Sequence, residues 1–181
     1  MNKLVNLLLI VSFILLNNNS SHAKSRTIFI DIKNCNNNTI MSIKNLSKNL
    51  ILSGYNVPNK FNCSKEYVKK LYGDSWSDTI VGSYNVVSQT VYINEDNLSY
   101  EAAILHEIGH YNYFLKNNKE FILEQYKKEI PLNLVNIIKE EVSEYATTDR
   151  LEFVAEVFAQ KQSGIKFSKE INDFYKECGG I

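Results

Sequence analysis

Residues 99–115 read as one apolar helix that carries two histidines a turn apart, His106 and His110, with Glu107 beside the first. Ser99 is placed to cap it and Glu101 falls in its first turn. Ala102, Ala103, Ile104, Leu105 and Ile108 make it a buried helix. Positions i and i+4 leave the same helix face, so both imidazoles point at one place. Polar rings in an apolar setting are costly without partners, so the fold must bring partners to this face. The spacing suits a zinc ion, because two ring nitrogens one turn apart can each reach the metal at about 2.0–2.1 Å. Glu107 then takes no coordination position, and is set to accept a proton from a zinc-activated water as it attacks a carbonyl. The bland alternative is a pair of ordinary core histidines. Gly109 weakens the helix by up to about 1 kcal/mol relative to Ala, and its small size permits another backbone to come close.

The rest of the chain narrows the donor set. Met1-Asn2-Lys3 is a short basic start, residues 4–16 are almost wholly apolar, and Ser21-His22-Ala23 supplies small residues at a cleavage site. That layout predicts a secretory signal over 1–23 and one mature domain over 24–181; an uncleaved membrane anchor is the alternative. His22 leaves with the signal, so every histidine of the mature chain belongs to His106-Glu107-Ile108-Gly109-His110. A third zinc ligand must then be Asp, Glu or Cys. The three-histidine extension is missing, since Tyr113 and Lys116 stand where it needs Gly and His. Most acidic residues over 120–144 fall on amphipathic helices and read as solvated faces. The run 151–159 differs, because its only charges are Glu152 and Glu156, four apart in an apolar helix. Buried carboxylates are expensive unless paired or metal-bound. One can be the ligand and the other can orient a ligating histidine. Asp149 and Glu152 also fit a capping box, and spacing leaves Glu152 and Glu156 nearly equal.

Without Lys3 the 20 basic residues become 19 against 20 acidic ones, a net charge near −1 with no basic block. Nucleic acid and anionic membrane are thereby disfavoured as main partners. Cys35, Cys63 and Cys178 share no CxxC spacing; a Cys35–Cys63 disulfide and three reduced thiols both stay open. Alternation predicts a strand over 26–33 and paired strands over 84–87 and 90–94 about Ser88-Gln89. Helical spacing predicts helices over 39–52, 64–72, 120–128, 132–142, 149–160 and 170–176. Strands first and helices after make an α+β arrangement, with the histidine helix at the join.

These residues resemble a known family. The HEIGH helix, then Ser143-Glu144-Tyr145, then Glu152-Phe153-Val154-Ala155-Glu156 resembles the lethal-factor-like zincins, which include the anthrax lethal factor catalytic domain and the secreted clostridial Pro-Pro endopeptidases. The resemblance implies a gluzincin-type zinc metalloprotease with a zincin-like fold. It also implies Glu152 as third ligand, Glu156 as the residue behind a ligand, and Tyr145 as the oxyanion-stabilising group. Gly73-x-x-Trp76-x-Asp78 and Thr90-Val91 resemble the substrate-lining stretch of the endopeptidases. Trp76, Thr90 and Val91 become candidate substrate contacts, with an extended peptide added alongside 90–94; core packing explains Trp76 equally well. The large delivery domains of lethal factor are absent, and residues 24–70 carry no motif of the family.

The expectation is a secreted, monomeric zinc endopeptidase of a Gram-positive bacterium. It would act on a peptide or protein substrate, Pro-containing if it follows the endopeptidases, without nucleic acid or stable membrane insertion. Zn2+ is the expected cofactor. Two other classes fit the same residues: a secreted, catalytically weak zinc module that binds a surface protein, and a toxin-type protease acting on a host protein.

Overall fold

The computed structural model describes residues 10–11, 28–66, 69 and 81–181. Trp76 and all of the expected leader but residues 10–11 lie outside the described residues. Of the helix predicted over 64–72, Lys65, Glu66 and Lys69 are helical. The architecture is α+β: a small mixed sheet, then helices only from Tyr100 onward among the described residues.

Strand β1 (Ile10–Val11) pairs antiparallel with β2 (Ile28–Phe29). A four-stranded sheet holds β3 (Asp31–Lys33), β4 (Lys60–Asn62), β5 (Gly82–Asn85) and β6 (Thr90–Ile93) in the order β3-β4-β6-β5. β3 and β4 run parallel, as do β4 and β6, while β5 closes the sheet antiparallel to β6 with Gly82 opposite Ile93. The single strand predicted over 26–33 is broken at Ile30, because its halves pair with different partners. The hairpin turn is also wider than predicted, spanning 86–89. Asn85 Oδ1 accepts from the Ser88 amide at 2.9 Å, and Gln89 takes a positive φ of 51°. Capture of the amide by Asn85 ends the strand early and leaves Val87 95% exposed.

Six helices are described from end to end: α1 (Asn37–Leu52), α2 (Tyr100–Lys116), α3 (Lys119–Lys127), α4 (Leu132–Glu141), α5 (Arg150–Gln162) and α6 (Lys169–Glu177). Four of them open on a side-chain cap. Asn36, Asn118, Asp149 and Ser168 accept from the amides of Thr39, Phe121, Glu152 and Ile171. A 3-10 turn, Tyr145–Thr147, bridges α4 and α5.

Two apolar clusters share the middle helices. Ile30, Ile43, Phe61, Val91 and Ile93 pack sheet and α1 against Ile104 and Ile108 of α2 and Phe158 of α5. Tyr113, Ile138, Phe153, Val157, Ile171 and Phe174 fill the helical half. Helices α2 and α5 therefore contribute to both clusters, and their seam is the spine of the molecule. Gly109 makes that seam close: a Cβ there would stand 3.0 Å from Phe158 Cδ1 and 3.2 Å from Ala155 Cα. Cys35 and Cys63 form a disulfide across a separation of 28 residues, tying the entry of α1 to the end of β4. Closing a loop of that size is worth about 3–4 kcal/mol in the chain-entropy account. Cys178 is a buried free thiol. Among the described residues no helix is long and apolar enough to cross a membrane.

Candidate metal centre

Helix α2 presents His106 and His110 toward α5, which answers with Glu152 and Glu156. The capping arrangement predicted at the start of α5 forms only on its Asp149 side. Asp149 Oδ1 accepts from the Leu151 and Glu152 amides at 2.8 and 2.9 Å, while the Glu152 carboxylate turns to the histidines. Glu152 Oε2 lies 2.9 Å from His106 Nε2 and 3.4 Å from His110 Nε2, and the two Nε2 atoms are 3.1 Å apart. Three donor atoms thus converge on one point.

Glu156 meets the other side of the same ring. His106 Nδ1–H donates to Glu156 Oε1 at 2.8 Å. Spacing left the two glutamates nearly equal; they divide by which imidazole nitrogen each meets. Glu156 is held in turn by Ser143, whose hydroxyl donates to Oε2 at 3.0 Å.

The electrostatics follow from three carboxylates gathered near two imidazoles. Burial alone would lower the His106 imidazole, but hydrogen bonds to Glu152 and Glu156 and the charge of Glu107 push it up to about 10. Burial opposes the charge on Glu152 as well; the histidines outweigh it and hold the carboxyl far below its usual range. Glu156 is displaced the same way, against burial, by His106 and then Ser143. Glu107 goes in the opposite direction. It is 6% exposed, and burial raises its carboxyl despite the histidines and a backbone hydrogen bond from Tyr84. The site therefore demands positive charge between its donors, which a proton on His106 or a bound cation can supply.

The residues fit a divalent metal. Bonds of about 2.0–2.1 Å in a tetrahedron put donors about 3.3 Å apart, and the separations here are 2.9, 3.1 and 3.4 Å. Two imidazole nitrogens and one carboxylate oxygen suit zinc among the common ions, and His106, His110 and Glu152 all line a cleft.

That cleft has two arms. A cavity of about 560 Å³ is lined by Ser99, Ala102, Ala103, Ala159 and Gln160, and one of about 220 Å³ by Tyr84, Val86, Phe114, Tyr126 and Leu151. Both include Gly82, His106, Glu107 and Tyr145, so the histidine helix forms their common floor. Tyr145 is 55% exposed, with its ring 5.9 Å from that of His106. Gly82 makes room for Glu107: a Cβ there would lie 3.1 Å from both Cγ and Oε1 of that residue.

Thr90 and Val91 are placed away from any such contact. Both are buried, Val91 within the core. β6 is hydrogen-bonded to β4 on one side and β5 on the other, so no peptide can add alongside residues 90–94. The strand next to the cleft is β5. Ser143 and Gly82 escaped the sequence as site residues. Gly82 lies outside the strand predicted over 84–87, so its close approach to Glu107 at the start of β5 had no signal in the sequence. Ser143 stands in the stretch that carries the resemblance, but nothing there marks its partner, which lies 13 residues away in the chain. No protein-family model, characterised protein or solved structure matches this chain.

Proposed function

We propose that the chain is a zinc-dependent endopeptidase of zincin type, with the ion held by His106 Nε2, His110 Nε2 and Glu152 Oε2. The observation that carries this reading is the convergence of those three atoms at metal-like separations on the floor of a cleft that also holds Glu107. Zinc bound there would polarise a substrate carbonyl and acidify water. Glu107 is the proton acceptor, and later the donor to the leaving amine; its raised carboxyl pKa brings it nearer the working range of a general base. Tyr145, half open to the cleft over His106, donates its hydroxyl to the oxyanion. Glu156 holds the His106 ring. The division of roles between Glu152 and Glu156 agrees with the lethal-factor-like resemblance and supports it.

The substrate is an extended peptide lying along β5. Among the described residues no strand pairs with the outer side of β5, and Gly82 and Tyr84 line the cleft. Backbone bonds to such an edge would carry a scissile carbonyl over the metal site. The Cys35–Cys63 bridge supports export, since disulfides persist outside the reducing cytosol.

The test is digestion of a random peptide library by the full chain, with and without chelator, beside Glu107→Ala. The expected result is chelator-sensitive cleavage by the parent. The variant should hold zinc as tightly and cleave at least about 100-fold more slowly. Normal cleavage by Glu107→Ala would overturn the mechanism, and absence of zinc binding by the parent would overturn the reading altogether.

A further inference from the structure

The Ser143 hydroxyl belongs neither to the three donors nor to the cleft lining, yet both of its hydrogen-bonding directions are committed. It donates to Glu156 Oε2 at 3.0 Å, and it accepts from the Ala146 amide at 3.0 Å. Ala146 follows Tyr145 in the 3-10 turn and is fully buried. One hydroxyl therefore joins the carboxylate behind His106 to the backbone that carries Tyr145.

We propose that Ser143 is a positioning residue that aligns the metal ligand and the oxyanion donor together; this rests on the reading of His106, His110 and Glu152 as a zinc site. The polarity of the chain is fixed by its chemistry. An ionised Glu156 can only accept, so it accepts hydrogen bonds from the Ser143 hydroxyl at Oε2 and from His106 Nδ1–H at Oε1. In the proposed zinc-bound state His106 would be neutral, with its one proton held on Nδ1 by Glu156 and its Nε2 lone pair left for the ion. The Ala146 amide can only donate, so it occupies a lone pair of the Ser143 oxygen and keeps the hydroxyl proton aimed at Glu156. Loss of the hydroxyl leaves Glu156 short of one donor and the Ala146 amide without its acceptor, in a region where unpaired polar groups are costly. Both ends of the proposed machinery then loosen at once. Threonine keeps the hydroxyl and should keep the link.

The experiment compares the full chain with Ser143→Ala, Ser143→Thr, Glu156→Gln and the double variant Ser143→Ala/Glu156→Gln. Zinc affinity is read by chelator competition, and amide exchange at Ala146 is read in the metal-free chain. Ser143→Ala should bind zinc about 10-fold more weakly, as residues behind a ligand typically do, and its Ala146 amide should exchange faster. Ser143→Thr should restore both. The double variant should be no worse than the weaker single one, since the two changes cut one path. Zinc affinity within twofold of the parent in Ser143→Ala, unchanged Ala146 exchange, or additive losses in the double variant would overturn the proposal. If the parent itself binds no zinc, the zinc reading falls, and Ala146 exchange alone decides whether Ser143 holds the turn.

Discussion

At the scale of single residues, the oxyanion role proposed for Tyr145 rests on its exposed ring beside His106. Tyr145 is more than half exposed, so removal of its hydroxyl creates no buried defect. Tyr145→Phe should therefore lower kcat about 100- to 1,000-fold, the usual cost of one oxyanion donor. KM, zinc affinity and thermal stability should stay at parental values. A parallel fall in kcat and zinc affinity would instead make Tyr145 part of the metal scaffold. The sequence alone singled out His106, Glu107 and His110, because i, i+4 spacing is a local property. Spacing narrowed the expected third ligand to two glutamates, and only the family resemblance pointed to Glu152. Glu152 and Glu156 occupy one helix face, and only the docking of α5 on α2 decides that one meets Nε2 and the other Nδ1. Ser143 is further beyond reach, since a serine in a loop looks the same whatever it bonds.

At the scale of elements, the six helices described from end to end were legible to within two residues, because apolar periodicity is local. The sheet was not. Alternation marks a strand without saying which strands flank it, and β4 and β6 meet in parallel across a long connection. An added peptide on 90–94 looked reasonable until β6 proved to be an inner strand. The α2–α5 seam joins elements to site, since two of the proposed ligands stand on one helix and the third on the other. Gly109→Ala tests it. Helix propensity would gain up to about 1 kcal/mol, whereas overpacking a close seam costs about 1–3 kcal/mol. The backbone of Ala155, 3.2 Å from the new methyl, cannot swing aside as a side chain could. The clash should win: urea denaturation should show net destabilisation of about 1–2 kcal/mol, with weaker zinc binding as the helices part. A variant more stable than the parent would show that the seam has slack.

At the scale of the whole molecule, folding and the proposed metal binding would act on the same protons. In the metal-free chain His106 rises from 6.5 to about 10, so its contribution to stability is complete below pH 6.5 and fades as the pH climbs toward 10. Glu152 moves the opposite way, downward from 4.5; its contribution is complete above about pH 4.5 and is lost as acid protonates it. The pair thus supports the metal-free fold best between about pH 4.5 and 6.5. On the proposed reading a zinc ion would replace the His106 proton, and with it the cause of the decline above pH 6.5. Tm measured in excess chelator and in excess zinc should diverge steadily between pH 6.5 and 9. Zinc affinity should rise up to about tenfold per pH unit over that range, with about one proton released per ion in calorimetry run in two buffers. The difference between the two curves is the informative quantity, because groups remote from the site cancel in it. Curves that stay parallel, with no proton released, would mean that zinc does not displace a proton from His106.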